Sequence, residues 1–229
     1  MNARSLLALL ALAAALGSPA AALARSHRRH PQPAPAPVQV PVADVIAACG
    51  RQLSYVGSST VQECITLTRQ LAATTAISTL DACANAFSYV GSSSVLECLR
   101  NAARSSRAPM PEIIQTCSNV LSYVGSSSVQ QCIATASRIA PEIAASTVAT
   151  CSSAFSYVGS SSVLECIRGA GDVGGAPMPQ IIQACSKALS YVGSSTVLEC
   201  IRTASRIGGD PAGAVGSCTS AFSYSGSSS

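Results

Sequence analysis

Eleven cysteines divide the chain in an alternating count of 15 and 19 residues. They stand at positions 49, 64, 83, 98, 117, 132, 151, 166, 185, 200 and 218, and only the last interval is one residue short. A 34-residue period kept over five units marks a repeat architecture, in which each unit buries its apolar face against its neighbours. The beat carries a phrase. SYVGSSTVQEC, starting at Ser54, returns as SYVGSSSVLEC at Ser88 and Ser156, SYVGSSSVQQC at Ser122 and SYVGSSTVLEC at Ser190, and SYSGSSS begins at Ser223. A 68-residue beat lies beneath it, since APMPEIIQTCSNVLSY at Ala108 returns as APMPQIIQACSKALSY at Ala176. Odd units place Leu before Ser-Tyr (Leu53, Leu121, Leu189) and even units place Phe (Phe87, Phe155, Phe222), so the array reads as copied pairs.

The flanks of the phrase have helical period. In the third unit Ile113, Ile114, Cys117, Val120, Leu121 and Val124 fall on one face of a 3.6-residue helix, and Val42, Val45, Ile46, Cys49, Leu53 and Val56 do the same in the first. Gly57, Gly91, Gly125, Gly159, Gly193 and Gly226 then read as left-handed helix stops. Three residues on, Thr60, Ser94, Ser128, Ser162 and Thr196 read as helix N-caps, each followed three residues later by Glu or Gln in a capping box. The acids Glu63, Glu97, Glu165 and Glu199 take the reciprocal capping role. The second helix is expected to bury Val61, Cys64, Ile65 and Thr68, and GAGDVGGAPM (169–178) reads as loop. A β-hairpin is the rival reading of Tyr-Val-Gly, and the helical period of the flanks outweighs it.

Two helices in 34 residues cannot close a core alone, but stacked units can. The expected fold is all-α: a right-handed α-solenoid of about five and a half helical hairpins, stapled by disulfides. In length, two-helix layout and the place of the turn glycine, the unit resembles a tetratricopeptide repeat. The resemblance is one of architecture, because the Trp, Leu-Gly and Tyr signature of that family's first helix is absent. Unit boundaries fall near 42–75, 76–109, 110–143, 144–177 and 178–210, with a half unit at 211–229.

Ahead of the repeats, residues 1–24 have the build of a secretory signal: Arg4, an apolar run and Ala22-Leu23-Ala24 as the cleavage site. An uncleaved anchor is the alternative, and no other stretch is a membrane-span candidate. Residues 25–41 are basic, then rich in Pro and Ala, and read as an extended, disordered linker. Of the 14 Lys and Arg, four (Arg4, Arg25, Arg28, Arg29) precede Val42, and the other ten balance the ten Asp and Glu. A neutral repeat region argues against a nucleic-acid partner, which demands a concentrated basic surface.

An export signal with regularly spaced cysteines points to disulfides in an oxidising compartment: the periplasm, the cell surface or the medium. Zinc is poorly supported, because no Cys-x-x-Cys pair exists and both histidines (His27, His30) lie in the linker. Two pairings satisfy bridge geometry. Within units, Cys49–Cys64, Cys83–Cys98, Cys117–Cys132, Cys151–Cys166 and Cys185–Cys200 would staple each hairpin and leave Cys218 free. Between units, Cys64–Cys83 and its successors would staple neighbours and leave Cys49 alone. The unvarying 15-residue spacing favours the first, and the second stays open.

No catalytic set is visible. The repeats contain no histidine for a nucleophilic triad, the serines sit where turns need hydroxyls, and GSSS ends one helix and starts another without forming a phosphate loop. No cofactor, metal site or enzyme activity is expected. Tyr55, Tyr89, Tyr123, Tyr157, Tyr191 and Tyr224 lie off the centre of the core face, and stacking would align them in a ladder with their serines. Tyrosine is favoured at interfaces, although each ring could instead pack on the next unit. The functional expectation is an exported protein-binding scaffold at the cell envelope or outside the cell. The alternative is a passive or self-assembling envelope protein, joined through an odd cysteine or an open C-terminal unit.

Overall fold

The structure, a computed structural model, describes residues 40–105, 109–173, 177–189, 193–207 and 209–222. These residues form eleven α-helices and no strand. The first helices of successive units are α1 (Val42–Gln52), α3 (Ala76–Ala86), α5 (Met110–Val120), α7 (Ala144–Ala154), α9 (Met178–Ala188) and α11 (Pro211–Phe222). The second helices are α2 (Ser58–Thr68), α4 (Ser92–Ala103), α6 (Ser126–Ala136), α8 (Ser160–Val173) and α10 (Ser194–Ala204). Each odd helix packs on the even helix that follows it, as α1 does on α2 and α9 on α10. Odd helices also pack on odd helices and even on even, unit after unit, so the chain builds a two-layer solenoid of hairpins.

An eleven-residue helix is too short to stand alone in water, so its apolar face must be covered by neighbours. Ile113, Ile114 and Cys117 of α5 and Ile181, Ile182 and Cys185 of α9 are fully buried. The same positions in the even units hold Thr79 and Leu80, or Thr147 and Val148, with Phe87 and Phe155 at the helix ends. Units with Phe thus carry Ala76 and Thr79, or Ala144 and Thr147, where units with Leu carry Met110 and Ile113, or Met178 and Ile181. Large and small side chains trade places along the 68-residue pair, which keeps the summed core volume similar from unit to unit.

The hydroxyls of Thr79 and Thr147 are buried and find no hydrogen-bond partner among the described residues. A buried hydroxyl left unpaired costs roughly 1–3 kcal/mol. Thr79→Val and Thr147→Val should therefore each stabilise the array by about 1 kcal/mol and raise its melting temperature by roughly 2–4 °C. A scanning calorimeter reads this directly, and a lower melting temperature would mean that the hydroxyls are satisfied in solution.

The helix boundaries correct the sequence reading in three places. The first helices end at Gln52, Ala86, Val120, Ala154 and Ala188, several residues before the glycine. Gly57, Gly91, Gly125 and Gly193 are instead the N-cap residues of the second helices. Gly91, Gly125 and Gly159 have φ of +116°, +103° and +105°, a conformation that L side chains rarely adopt. Second, helix α2 starts at Ser58, so Thr60, Ser94, Ser128, Ser162 and Thr196 lie inside the first turn and cap nothing. Their backbone is already committed, as in the Thr60 N–H donating to the Gly57 carbonyl at 3.0 Å. Third, α8 continues to Val173 through Gly169 and Gly171, which read as loop. Ala170 is buried there and Val173 packs against the core, so tertiary burial outweighs the glycines' weak propensity.

The glutamates change role with the boundaries. Glu63 accepts hydrogen bonds from Arg100 Nε at 3.1 Å and Nη2 at 2.5 Å, tying α2 to α4. Glu165 lies 4.0 Å from Arg202 in the same register, a half-exposed ion pair whose arginine hydrogen-bonds Glu199 on its own helix. Between α4 and α6 the tie is neutral: Asn101 donates to Gln130 Oε1 at 3.1 Å, and Gln130 Nε2 donates to the Ser94 carbonyl at 2.8 Å. The Glu63–Arg100 pair is about two-fifths exposed, so solvent screens it. Arg100→Ala should cost under about 1 kcal/mol and less still at high salt, which a denaturant titration at two ionic strengths will read.

Candidate functional site

The most regular surface of the array is the row of turns that join the first helix of each unit to the second. Each turn is closed by backbone hydrogen bonds. The Val56 N–H donates to the Leu53 carbonyl at 3.4 Å, Val90 to Phe87 at 3.0 Å, Val124 to Leu121 at 3.1 Å and Val158 to Phe155 at 3.0 Å. The first residue of the turn is an anchor, since Leu53, Phe87, Leu121 and Phe155 are all buried. Two residues on, the turn has reversed and its side chain points away from the anchor. Tyr55, Tyr89, Tyr123 and Tyr157 are 101–102% exposed, so none packs on its neighbouring unit. Val90, Val124 and Val158 beside them are about half exposed. Tyr191 and Tyr224 lie outside the described residues.

A disulfide braces each turn from below. The structure pairs Cys49 with Cys64, Cys83 with Cys98, Cys117 with Cys132, Cys151 with Cys166 and Cys185 with Cys200. Every bridge spans 15 residues with Cα atoms 5.7–5.9 Å apart and joins the two helices of one unit. Bridges between units, such as Cys64–Cys83, are not formed. Cys218 is free and exposed. In the first unit the Thr68 hydroxyl lies 3.8 Å and 3.9 Å from the two bridged sulfurs, its hydrogen serving as a weak donor to them.

Elsewhere the surface holds shallow grooves between neighbouring helices of one layer. One of about 600 Å³ lies between α7 and α9, lined by Thr150, Ser153, Gln183 and Lys187. Its counterpart of about 390 Å³ between α3 and α5 is lined by Asp81, Asn85, Gln115 and Asn119. Both are open and expose polar and apolar groups alike, and the change from Asp81 and Asn119 to Ala149 and Lys187 gives them different charge. Among the described residues no group of three or more His, Cys, Asp or Glu is placed to hold a metal ion, and no helix is long and apolar enough to cross a membrane.

The turn row was only half visible in the sequence. The tyrosines were marked by their period, but their complete exposure follows from the turn geometry. The helix-to-helix ties were missed, although the spacing of Glu63 to Arg100 and Glu165 to Arg202, one period plus three residues, signals them. Compared with protein-family models, curated proteins and solved structures, the chain matches none.

Proposed function

We propose that this chain is an exported, disulfide-stapled scaffold that docks other protein segments along its tyrosine edge, at the cell envelope or outside the cell, and catalyses no reaction. The observation that carries this reading is the row of four fully exposed tyrosines, each held on a braced turn, three of them (Tyr89, Tyr123 and Tyr157) flanked by a half-exposed valine. Tyrosine offers a large amphipathic contact area with few rotatable bonds, so a rigidly presented ring loses little entropy on binding. Isolated exposed apolar residues mean little, whereas a contiguous series marks a binding surface. The five intramolecular disulfides fit an exported protein.

The test is a triple replacement, Tyr89→Ser, Tyr123→Ser and Tyr157→Ser. These rings touch nothing that stabilises the fold, so stability should stay within about 0.5 kcal/mol of the parent. Proteins crosslinked to the parent chain in its own compartment should be lost from the triple variant. An unchanged crosslinked set would sink the reading.

The exposed thiol of Cys218 favours a second reading, assembly through an intermolecular disulfide. Under oxidising conditions non-reducing electrophoresis should then show a dimer that Cys218→Ser removes. A parent chain that runs only as monomer argues against it.

A further inference from the structure

We infer that the groove between α4 and α6 is a seat for a guanidinium group, the side chain of an arginine carried by a partner polypeptide. The array displays this contact within itself. Glu63 on α2 accepts hydrogen bonds from Nε and Nη2 of Arg100 on α4. Glu165 on α8 stands near Arg202 on α10 at the same interval, one period plus three residues. That interval also leads from Glu97 on α4 to Ala134 on α6. Here the acid is kept, and a methyl group stands where the base would be. Glu97 takes part in none of the ion pairs among the described residues. Arg100, three residues on along its own helix, is engaged with Glu63.

Glu97 lines a groove of about 370 Å³ together with Ser94, Asn101, Ser127, Gln130 and Gln131. That size falls within the roughly 300–1,000 Å³ of small-ligand sites. Its buried member is Gln130, which stands where α4, α8 and α10 carry Leu96, Leu164 and Leu198. At 7% exposure it is as buried as they are. Both ends of its amide are held: Nε2 donates to the Ser94 carbonyl at 2.8 Å, and Oε1 accepts from Asn101 Nδ2 at 3.1 Å. Asn101 is thereby oriented, and its Oδ1 accepts from no donor among the described residues. A polar side chain has replaced a core leucine, and its bonds fix a second amide in the wall of the groove.

A guanidinium presents five N–H donors in one plane and no acceptor. The groove answers with acceptors: the Glu97 carboxylate, Asn101 Oδ1, the side-chain carbonyl of Gln131 and the hydroxyl of Ser127. An exposed ion pair alone is weak, so the neutral acceptors decide the ligand. An ammonium is a compact, strongly hydrated point charge, whereas the planar fork of arginine sheds water more readily and serves several acceptors at once. The groove is open to solvent, which lets a side chain enter with its backbone still outside. No tyrosine lines it, so the site stands apart from the docking edge and does not depend on it.

The test titrates the tripeptide acetyl-Gly-Arg-Gly-amide into the full isotope-labelled chain, with the side-chain amide NMR signals of Asn101, Gln130 and Gln131 as the readout. Saturable shifts are expected. The same tripeptide with citrulline, uncharged but of the same shape, should bind at least tenfold more weakly. Equal binding of the two, or none, overturns the inference. Glu97→Gln removes the charged acceptor, and Ala134→Arg supplies a guanidinium from within the chain. Each should lower the affinity at least tenfold without lowering the melting temperature, and an affinity that survives either change overturns the inference. A lysine tripeptide should bind several-fold more weakly than the arginine one. Equal binding of those two reduces the site to a bare charge and overturns the guanidinium as its ligand. Free arginine should bind more weakly than the tripeptide, and if it binds as tightly, the partner polypeptide is overturned as the source. The triple variant Tyr89→Ser, Tyr123→Ser and Tyr157→Ser should bind the tripeptide as the parent does. A fall there would place the peptide on the tyrosine edge and overturn the groove.

Discussion

Full reduction of the five disulfides should unfold the array at room temperature. Each bridge closes a 15-residue loop, and the chain-entropy account gives such a loop about 3 kcal/mol. The loops are separate, one per unit, so their contributions add to roughly 15 kcal/mol on that account. That equals the upper end of the whole stability of an ordinary domain. The core offers little to replace it, being built mainly of Ala, Val, Ile, Leu, Met and cystine, with Phe87 and Phe155 the large buried aromatics among the described residues. Circular dichroism of the reduced chain should show loss of most helix and of the cooperative melt. A reduced chain that keeps both would mean that the apolar faces suffice.

Position should matter for a single bridge. Cys117 and Cys132 replaced together by Ala remove the staple of the middle unit, and each side of a solenoid is coupled to the other only through its neighbours. We expect a loss of about 3 kcal/mol and a melt that divides in two. The same change at Cys49 and Cys64 should mainly fray the first unit. Hydrogen exchange resolved by unit distinguishes the two patterns.

Phe87→Ala and Phe155→Ala should each cost about 3–5 kcal/mol, the range for truncating a fully buried aromatic. Both side chains are 1% exposed and anchor the turn that carries a tyrosine. The loss has two origins, the transfer energy of the ring and a cavity that a braced hairpin cannot close by moving. Phe87→Leu should cost less, because Leu keeps most of the buried apolar volume, yet it should still cost something, because Ala76 and Thr79 stand here where the Leu121 unit has Met110 and Ile113. Chemical denaturation of the three variants is the measurement. A Phe87→Ala cost near that of Phe87→Leu would show that the site collapses around the missing ring.

The tyrosine edge depends on these anchors, and so stability and binding are separable by design. Substitutions at Phe87 or Phe155 should loosen the turn and weaken docking together with stability. Substitutions at Tyr89, Tyr123 or Tyr157 should touch docking alone, since those rings are wholly in solvent.

Much of the fold was legible in order along the chain. The cysteine beat set the unit length, and the 3.6-residue spacing around Cys117 marked the buried face of α5, because a short helix must put its apolar residues on one side. The ends of helices were not legible in the same way. Gly91 looks like a stop for α3, yet α3 ends at Ala86 and Gly91 begins α4, because a closed turn at Phe87–Val90 intervenes. Thr60 looks like a cap only if α2 is thought to begin there. The extension of α8 through two glycines was hidden for a different reason: burial of Ala170 supplies energy that local propensity does not record.

Which cysteines pair, and which face of the turn meets water, were decided in three dimensions. Both pairings satisfy the spacing, and packing brings Cys49 to Cys64 and not Cys64 to Cys83. Tyr89 stands one residue from Val90 and two from Phe87, yet Phe87 is buried and the tyrosine is not. Local sequence sets period and polarity, because these act between residues a few positions apart. Partners and exposure are set by where the backbone of one element meets the next, and that is a property of the packed array.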